Sequence, residues 1–82
     1  MARGDYTFRR LDGRGEAVWT RVLPQGSDAA AIEEARLMLH AQAALPTGAA
    51  PLAIRVGRGR EDGALTWLGA WRMERRLVWT PE

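Results

Sequence analysis

The sequence predicts a small α+β domain: a mostly antiparallel four-stranded sheet with one helix packed on one face, in the order ββαββ. Three observations carry that expectation. Apolar side chains alternate with a period of two in four stretches, two on either side of a single stretch with a helical period. Turn sequences separate the members of each pair, which reads as two hairpins. The chain has 82 residues, enough for one domain. Chains of this size bury roughly 60 to 65% of their unfolded surface, which suits one sheet covered by one helix.

The first strand is expected over 5–11, where Tyr6 and Phe8 alternate with Thr7 and Arg9. Asp12-Gly13-Arg14-Gly15 is a turn sequence, because Asp-Gly and Gly-rich pairs accept positive φ at little cost. The second strand is expected over 16–23. Val18, Thr20 and Val22 lie on one parity and Ala17, Trp19 and Leu23 on the other, side chains that suit a pleated surface. Pro24 is expected to end it, having no N–H for a ladder.

Ser27 or Asp28 can cap the helix that follows. The helix is expected over 28–44, in a segment rich in the helix formers Ala, Leu, Glu and Met. At about 100° per residue, Ile32, Ala35, Leu39 and Ala43 form one stripe, flanked by Ala31 and Met38. These small side chains would let the helix lie close on a sheet. Leu37 falls well off the stripe, beside Glu33, His40, Ala41 and Ala44.

Prolines at both ends of 46–51 block helix and central strand alike, so this segment is expected to be a loop. The third strand is expected over 52–57, with Leu52, Ile54 and Val56 facing one way. Gly57–Gly63 is a second hairpin loop. The last stretch, 64–80, is expected to be a long or bent strand. Leu65, Trp67, Gly69, Trp71 and Met73 share one parity, and Leu77 and Trp79 return to it. Seventeen residues exceed the usual ~5 or 6 of a strand, so the expectation is a bulge or bend near Gly69 or Glu74–Arg75, or a strand that projects beyond its domain to pair with a second chain. The competing expectation is a bend at Glu74–Arg75 that folds the strand back to complete its own sheet. Tracing strand directions puts the two hairpin turns at opposite ends of the sheet. The helix N-terminus then shares its end with Arg58 and Arg60. Strand orders 2-1-3-4 and 1-2-4-3 both satisfy those directions.

Composition narrows the functional classes. The hydrophobic fraction is 46% and the charged fraction 27%, ordinary values for a globular chain. No apolar run approaches the ~18 residues of a membrane span. The N-terminal stretch MARGDYTFRR has no apolar core of a secretory signal, so the expected location is the cytoplasm. Cysteine is absent, which removes disulfides and thiolate chemistry. Twelve basic residues, all arginine, face ten acids for a formal charge of +2. Exclusive use of Arg, with abundant Ala and Gly, matches GC-rich coding. The arginines are scattered rather than clustered, so charge alone does not favour a nucleic-acid binder.

The inventory for catalysis is poor. His40 is the only histidine and reads as a surface residue of the helix, and no metal site follows from one imidazole and scattered carboxylates. Ser27 is the only serine and reads as a helix cap. Glu33 and Glu34 diverge by 100° on a helix, and Glu33 pairs more simply with Arg36. No enzyme, cofactor or metal is expected. The loop containing Arg58 and Arg60 could offer N–H groups and two cations to an anion or nucleic acid. Its neighbours Glu61, Asp62 and Asp28 oppose that. Tryptophans 19, 67, 71 and 79, interleaved with Arg55, Arg72, Arg75 and Arg76, admit two readings. They form a core and a subunit interface, or a stacking platform for single-stranded nucleic acid. The first is favoured, because a small domain needs large side chains to bury enough surface. Phe8, Ile32, Leu39, Ile54, Val56 and Trp67 are expected to be buried together between helix and sheet.

One arrangement runs from Tyr6 to Ala44: Tyr6 and Phe8, then Asp12, Gly13 and Gly15, a strand, Pro24, and a helix with Glu33, Glu34 and Ala35. It resembles small bacterial ββαβ proteins and the N-terminal part of HicB-type antitoxins. The resemblance implies a hairpin followed by a helix on its sheet. Beyond Ala44 the chain departs from that pattern, with no recognisable DNA-binding segment. The function expected overall is non-catalytic, acting by self-association or by binding another protein. A homodimer is favoured, with Leu37, Trp71, Arg72, Arg75, Arg76, Leu77 and Trp79 as interface residues. RNA or single-stranded DNA binding through Trp and Arg is the alternative, and no membrane partner is expected.

Overall fold

The computed structural model describes residues 4–43 and 52–82. Five strands and one helix follow in the order β1 (Gly4–Leu11), β2 (Ala17–Gln25), α1 (Asp28–Ala43), β3 (Leu52–Gly59), β4 (Leu65–Met73) and β5 (Leu77–Pro81). The strands form one antiparallel sheet in the spatial order β2-β1-β3-β4-β5. The chain is therefore a single small α+β domain. The order 2-1-3-4 is present, extended by a strand that the four-stranded expectation lacked. The proline-bounded loop expected over 46–51 lies outside the described residues.

The fifth strand arises where charge interrupts the apolar alternation. Glu74, Arg75 and Arg76 are consecutive and exposed, and the Glu74 N–H donates to the Arg76 carbonyl across a tight turn (3.1 Å). Three charged side chains are cheaper in water than in a sheet, so the chain reverses there. Leu77–Pro81 then returns along β4, with Trp79 opposite Trp71 and Leu77 opposite Met73. The stretch 64–80 is thus bent at Glu74–Arg75, one of the expected positions, and the bend is a full hairpin turn.

Other boundaries shift for local reasons. Pro24 does not end β2, which continues to Gln25. β2 is an edge strand, where a missing N–H on the outer side breaks no ladder bond. β3 runs on to Gly59, so the connecting loop is only 60–64, and Gly57 belongs to the strand. The first turn matches its sequence. The Asp12 carboxylate accepts from the N–H groups of Arg14 (2.8 Å) and Glu16 (3.0 Å), and Gly15 takes the positive φ.

The core lies between α1 and one sheet face. Phe8, Leu39, Ile54 and Val56 are fully buried there, with Ala31, Ala35, Tyr6 and Leu52 around them. Ile32 is partly buried and packs against this cluster. Its carbonyl accepts the indole N–H of Trp71 (2.8 Å), tying helix to β4. Ser27 caps the helix, its hydroxyl accepting from the Ala30 N–H (3.1 Å).

Trp67, expected in this core, is on the opposite face. Val56 pairs with Gly69 but Gly57 pairs with Trp67, so Leu68 is an extra residue in β4. Such a bulge reverses the side-chain alternation along the strand. Trp71 and Met73 keep the helix side, and Trp67 passes to the open side.

Candidate interaction surface

Three regions gather the residues that could carry function: the end of the sheet beneath the helix N-terminus, the open sheet face, and the two sheet edges. At the first, Asp28 opens α1 and is held by two partners. The Tyr6 hydroxyl donates to its Oδ1 (2.6 Å), and Arg58 donates from Nε to Oδ1 (3.0 Å) and from Nη2 to Oδ2 (2.5 Å). These bonds to the charged carboxylate hold its pKa down at about 2, from an ordinary 3.8, with Arg58 the larger cause. The same contact raises the Tyr6 phenol, first through its hydrogen bond to Asp28.

Arg58 therefore shares its end of the sheet with the helix N-terminus, as strand directions predict. It is engaged by a carboxylate rather than turned to an incoming anion. Arg60 is likewise close to Asp62 (3.2 Å) and Asp5 (3.4 Å). Arg58 on β3 thus holds the start of α1, and Arg60 ties the loop to β1.

On the open face, Trp67 lies across β3 because Gly57 leaves room for it. A Cβ at Gly57 would come within 2.9 Å of the Trp67 ring and 2.8 Å of Leu65. Arg55 stacks over the ring at 4.0 Å and Arg9 at 5.1 Å from its centroid. Each guanidinium also has an acidic partner: Arg9 pairs with Glu61, and Arg55 with Glu82 (2.7 Å). Thr7 is buried beneath this loop, donating to the Gly59 carbonyl (2.7 Å). The face is an aromatic ring flanked by two cations whose charges the chain already balances.

The tryptophans are divided between environments. Trp71 and Trp79 stand on the helix side with ring centroids 5.4 Å apart, packed with Leu77 against the core. Trp19, on edge strand β2, is half-buried, with Arg21 stacked over it at 4.5 Å. Among the expected interface residues, Arg72, Arg75 and Arg76 are exposed and Leu37 is 48% exposed. Leu77 and Trp79 are partly buried by their own chain, packed against the core. His40 is exposed, and Glu33 pairs with Arg36.

Two edges remain open. β5 forms one and is short. β2 forms the other over nine residues and carries Val18 (51% exposed) and Val22 (38%). With Leu37, these are the large exposed apolar residues among those described. Sequence reading placed no interface residue on β2, although the alternation of Val18, Thr20 and Val22 was visible.

Among the described residues, no group of three His, Cys, Asp or Glu stands close enough to hold a metal ion. No described helix is long and apolar enough to cross a membrane. No family model, curated protein or solved structure matches the chain.

Proposed function

We propose that this protein acts without catalysis, by associating with protein, and in the first place with a second copy of itself. The observation that carries the proposal is the open β2 edge, with two exposed valines on a nine-residue strand. Unpaired N–H and C=O groups along such an edge are a template for another strand, and natural edges are usually blunted by charge, shortness or proline. β2 is bounded by a bulge at Val18 and by Pro24, and on the open stretch 19–23 between them the one charged residue is Arg21. The test is sedimentation of the full chain over a concentration series at low and high salt. Self-association through strand pairing and apolar contact gives a monomer–dimer equilibrium that salt hardly moves. A chain that stays monomeric throughout the series overturns the proposal.

A second reading is favoured by one specific observation, the Trp67 ring between Arg9 and Arg55 on the open face. Bases of single-stranded RNA or DNA stack on such rings. Here a single tryptophan offers that surface, and Glu61 and Glu82 compete for its two arginines. Binding of this kind falls steeply with salt as counterions are released. Anisotropy of a labelled oligonucleotide at several salt concentrations separates it from protein association.

A further inference from the structure

We infer that the second copy docks on β2, antiparallel and about a two-fold axis through Thr20, so that two five-stranded sheets join into one. The inference rests on the self-association proposed above and names its surface and register.

The register follows from symmetry and from the residues. A two-fold axis normal to the sheet leaves each face on its own side, so residue i can oppose only a residue of the same parity. The axis therefore passes through a residue, not between two. Centring on Thr20 sets Val18 opposite Val22 and Trp19 opposite Arg21, and the same pairs again across the axis. The segment Val18-Trp19-Thr20-Arg21-Val22 is self-complementary in this register. Its two valines, both exposed, then meet at the new seam, Val22 within the regular strand and Val18 at its bulged end. On the helix face each arginine meets the partner's indole, the same contact that Arg21 and Trp19 already make within one strand at 4.5 Å.

Neighbouring registers are worse. Centring on Arg21 puts like charges directly opposite, which is destabilising. Centring on Val22 draws Pro24 into the ladder opposite Thr20, where a donor is missing. Centring on Trp19 sets Val22 against Glu16. The limits of β2 agree with the Thr20 choice. On the β1 side, Trp19 pairs with Arg10 but Ala17 with Leu11, so a bulge at Val18 closes the regular strand at one end. Pro24 closes it at the other.

The neighbouring helix leaves this edge free. α1 lies mainly over β3 and β4 and reaches β2 only slightly. Trp19 and Leu23 therefore remain half-covered on the helix face, where a symmetric partner would bring its own pair alongside. In the dimer both helices stand on the same side and the two open faces run together.

Cysteine cross-linking tests the register against a clean background, since the chain has no cysteine of its own. Thr20→Cys should be trapped as a covalent dimer under mild oxidation or by a short bis-thiol reagent, because residues directly opposite have Cβ atoms about 4.5–5.5 Å apart. An equal mixture of Val18→Cys and Val22→Cys should cross-link, and either variant alone much less, since its own thiols would lie four residues out of register, roughly 13 Å. Val78→Cys on β5 should stay monomeric. Circular dichroism checks that each variant keeps its fold; Val18, Thr20 and Val22 are exposed and Val78 is partly buried. A dimer by sedimentation that cross-links at Val78 but not at Thr20 overturns the β2 inference and leaves self-association standing. Cross-linking of Thr20→Cys with Val22→Cys, but of neither alone, overturns the register centred on Thr20. A monomer at every concentration, with no cross-link in any variant, overturns both.

Discussion

Asp28 shows how much one side chain can do in this chain. It opens the helix, where the dipole favours negative charge, and it holds Tyr6 of β1 and Arg58 of β3 to that point. Its folded pKa lies below the ordinary carboxylate value. Its contribution to stability is therefore present above about pH 4 and lost as pH falls towards about 2. Denaturant midpoints taken down through that window should fall more steeply for the wild type than for Asp28→Asn. Parallel curves would mean that this carboxylate contributes nothing. Gly69 is the second residue with a role set by geometry. Its φ is +154°, and a Cβ there would come within 2.5 Å of the Thr80 carbonyl and 2.7 Å of the Trp79 ring. Gly69→Ala should destabilise the fold by more than about 1 kcal/mol. It should also speed amide exchange selectively at Val78–Thr80, because β5 is what the methyl displaces.

Among the elements, the helix and β4 contrast most clearly. The stripe of Ala35 and Leu39, with Ala31 beside it, is buried as its 3.6-residue period predicts. Leu39→Ala should cost about 2–5 kcal/mol by chemical denaturation, because nothing nearby can fill a cavity beneath a close-packed helix. β4 keeps its period of two only from Gly69 onwards, since the Leu68 bulge moves Leu65 and Trp67 to the other face. The Leu68 carbonyl accepts the N–H of Glu82 (3.0 Å), so the bulge is tied to the end of β5. Trp71→Phe should cost more than the about 0.5–1.5 kcal/mol of the indole bond to Ile32, because the smaller ring also gives up contact with Trp79 and the core. A loss within that range would show that the second ring of the indole adds little to the packing.

For the whole molecule, β5 changes where an outside partner can attach. It covers the β4 edge and packs Leu77 and Trp79, both partly buried, against the core. The remaining long edge is β2, at the far side of the sheet. Association at β2 should therefore survive Arg75→Glu and Arg76→Glu, which lie in the β4–β5 turn, and weaken with Val22→Lys. Sedimentation of these variants beside the wild type measures both. Loss of the dimer in the turn variants would return the interface to the β4–β5 end.

The sequence by itself determined the class, the helix face, the first hairpin turn, the opposed ends of the two loops and the core residues Phe8, Leu39, Ile54 and Val56. Those follow from local periods and turn chemistry, which act over a few residues and leave a direct trace in residue order. Tertiary structure decided the rest. Whether Glu74–Arg76 bends the strand or lets it project depends on whether β4 has a free edge to receive β5, and residue order does not state that. The place of Trp67 was hidden for a related reason. A bulge inserts one residue against a partner strand, so it exists only in the pairing of β3 with β4. Once Leu68 is extra, the parity that seemed to unite four apolar side chains divides them between two faces. The exposure of β2 is also a property of the assembled sheet, because an alternating strand reads the same in sequence at the edge as at the centre.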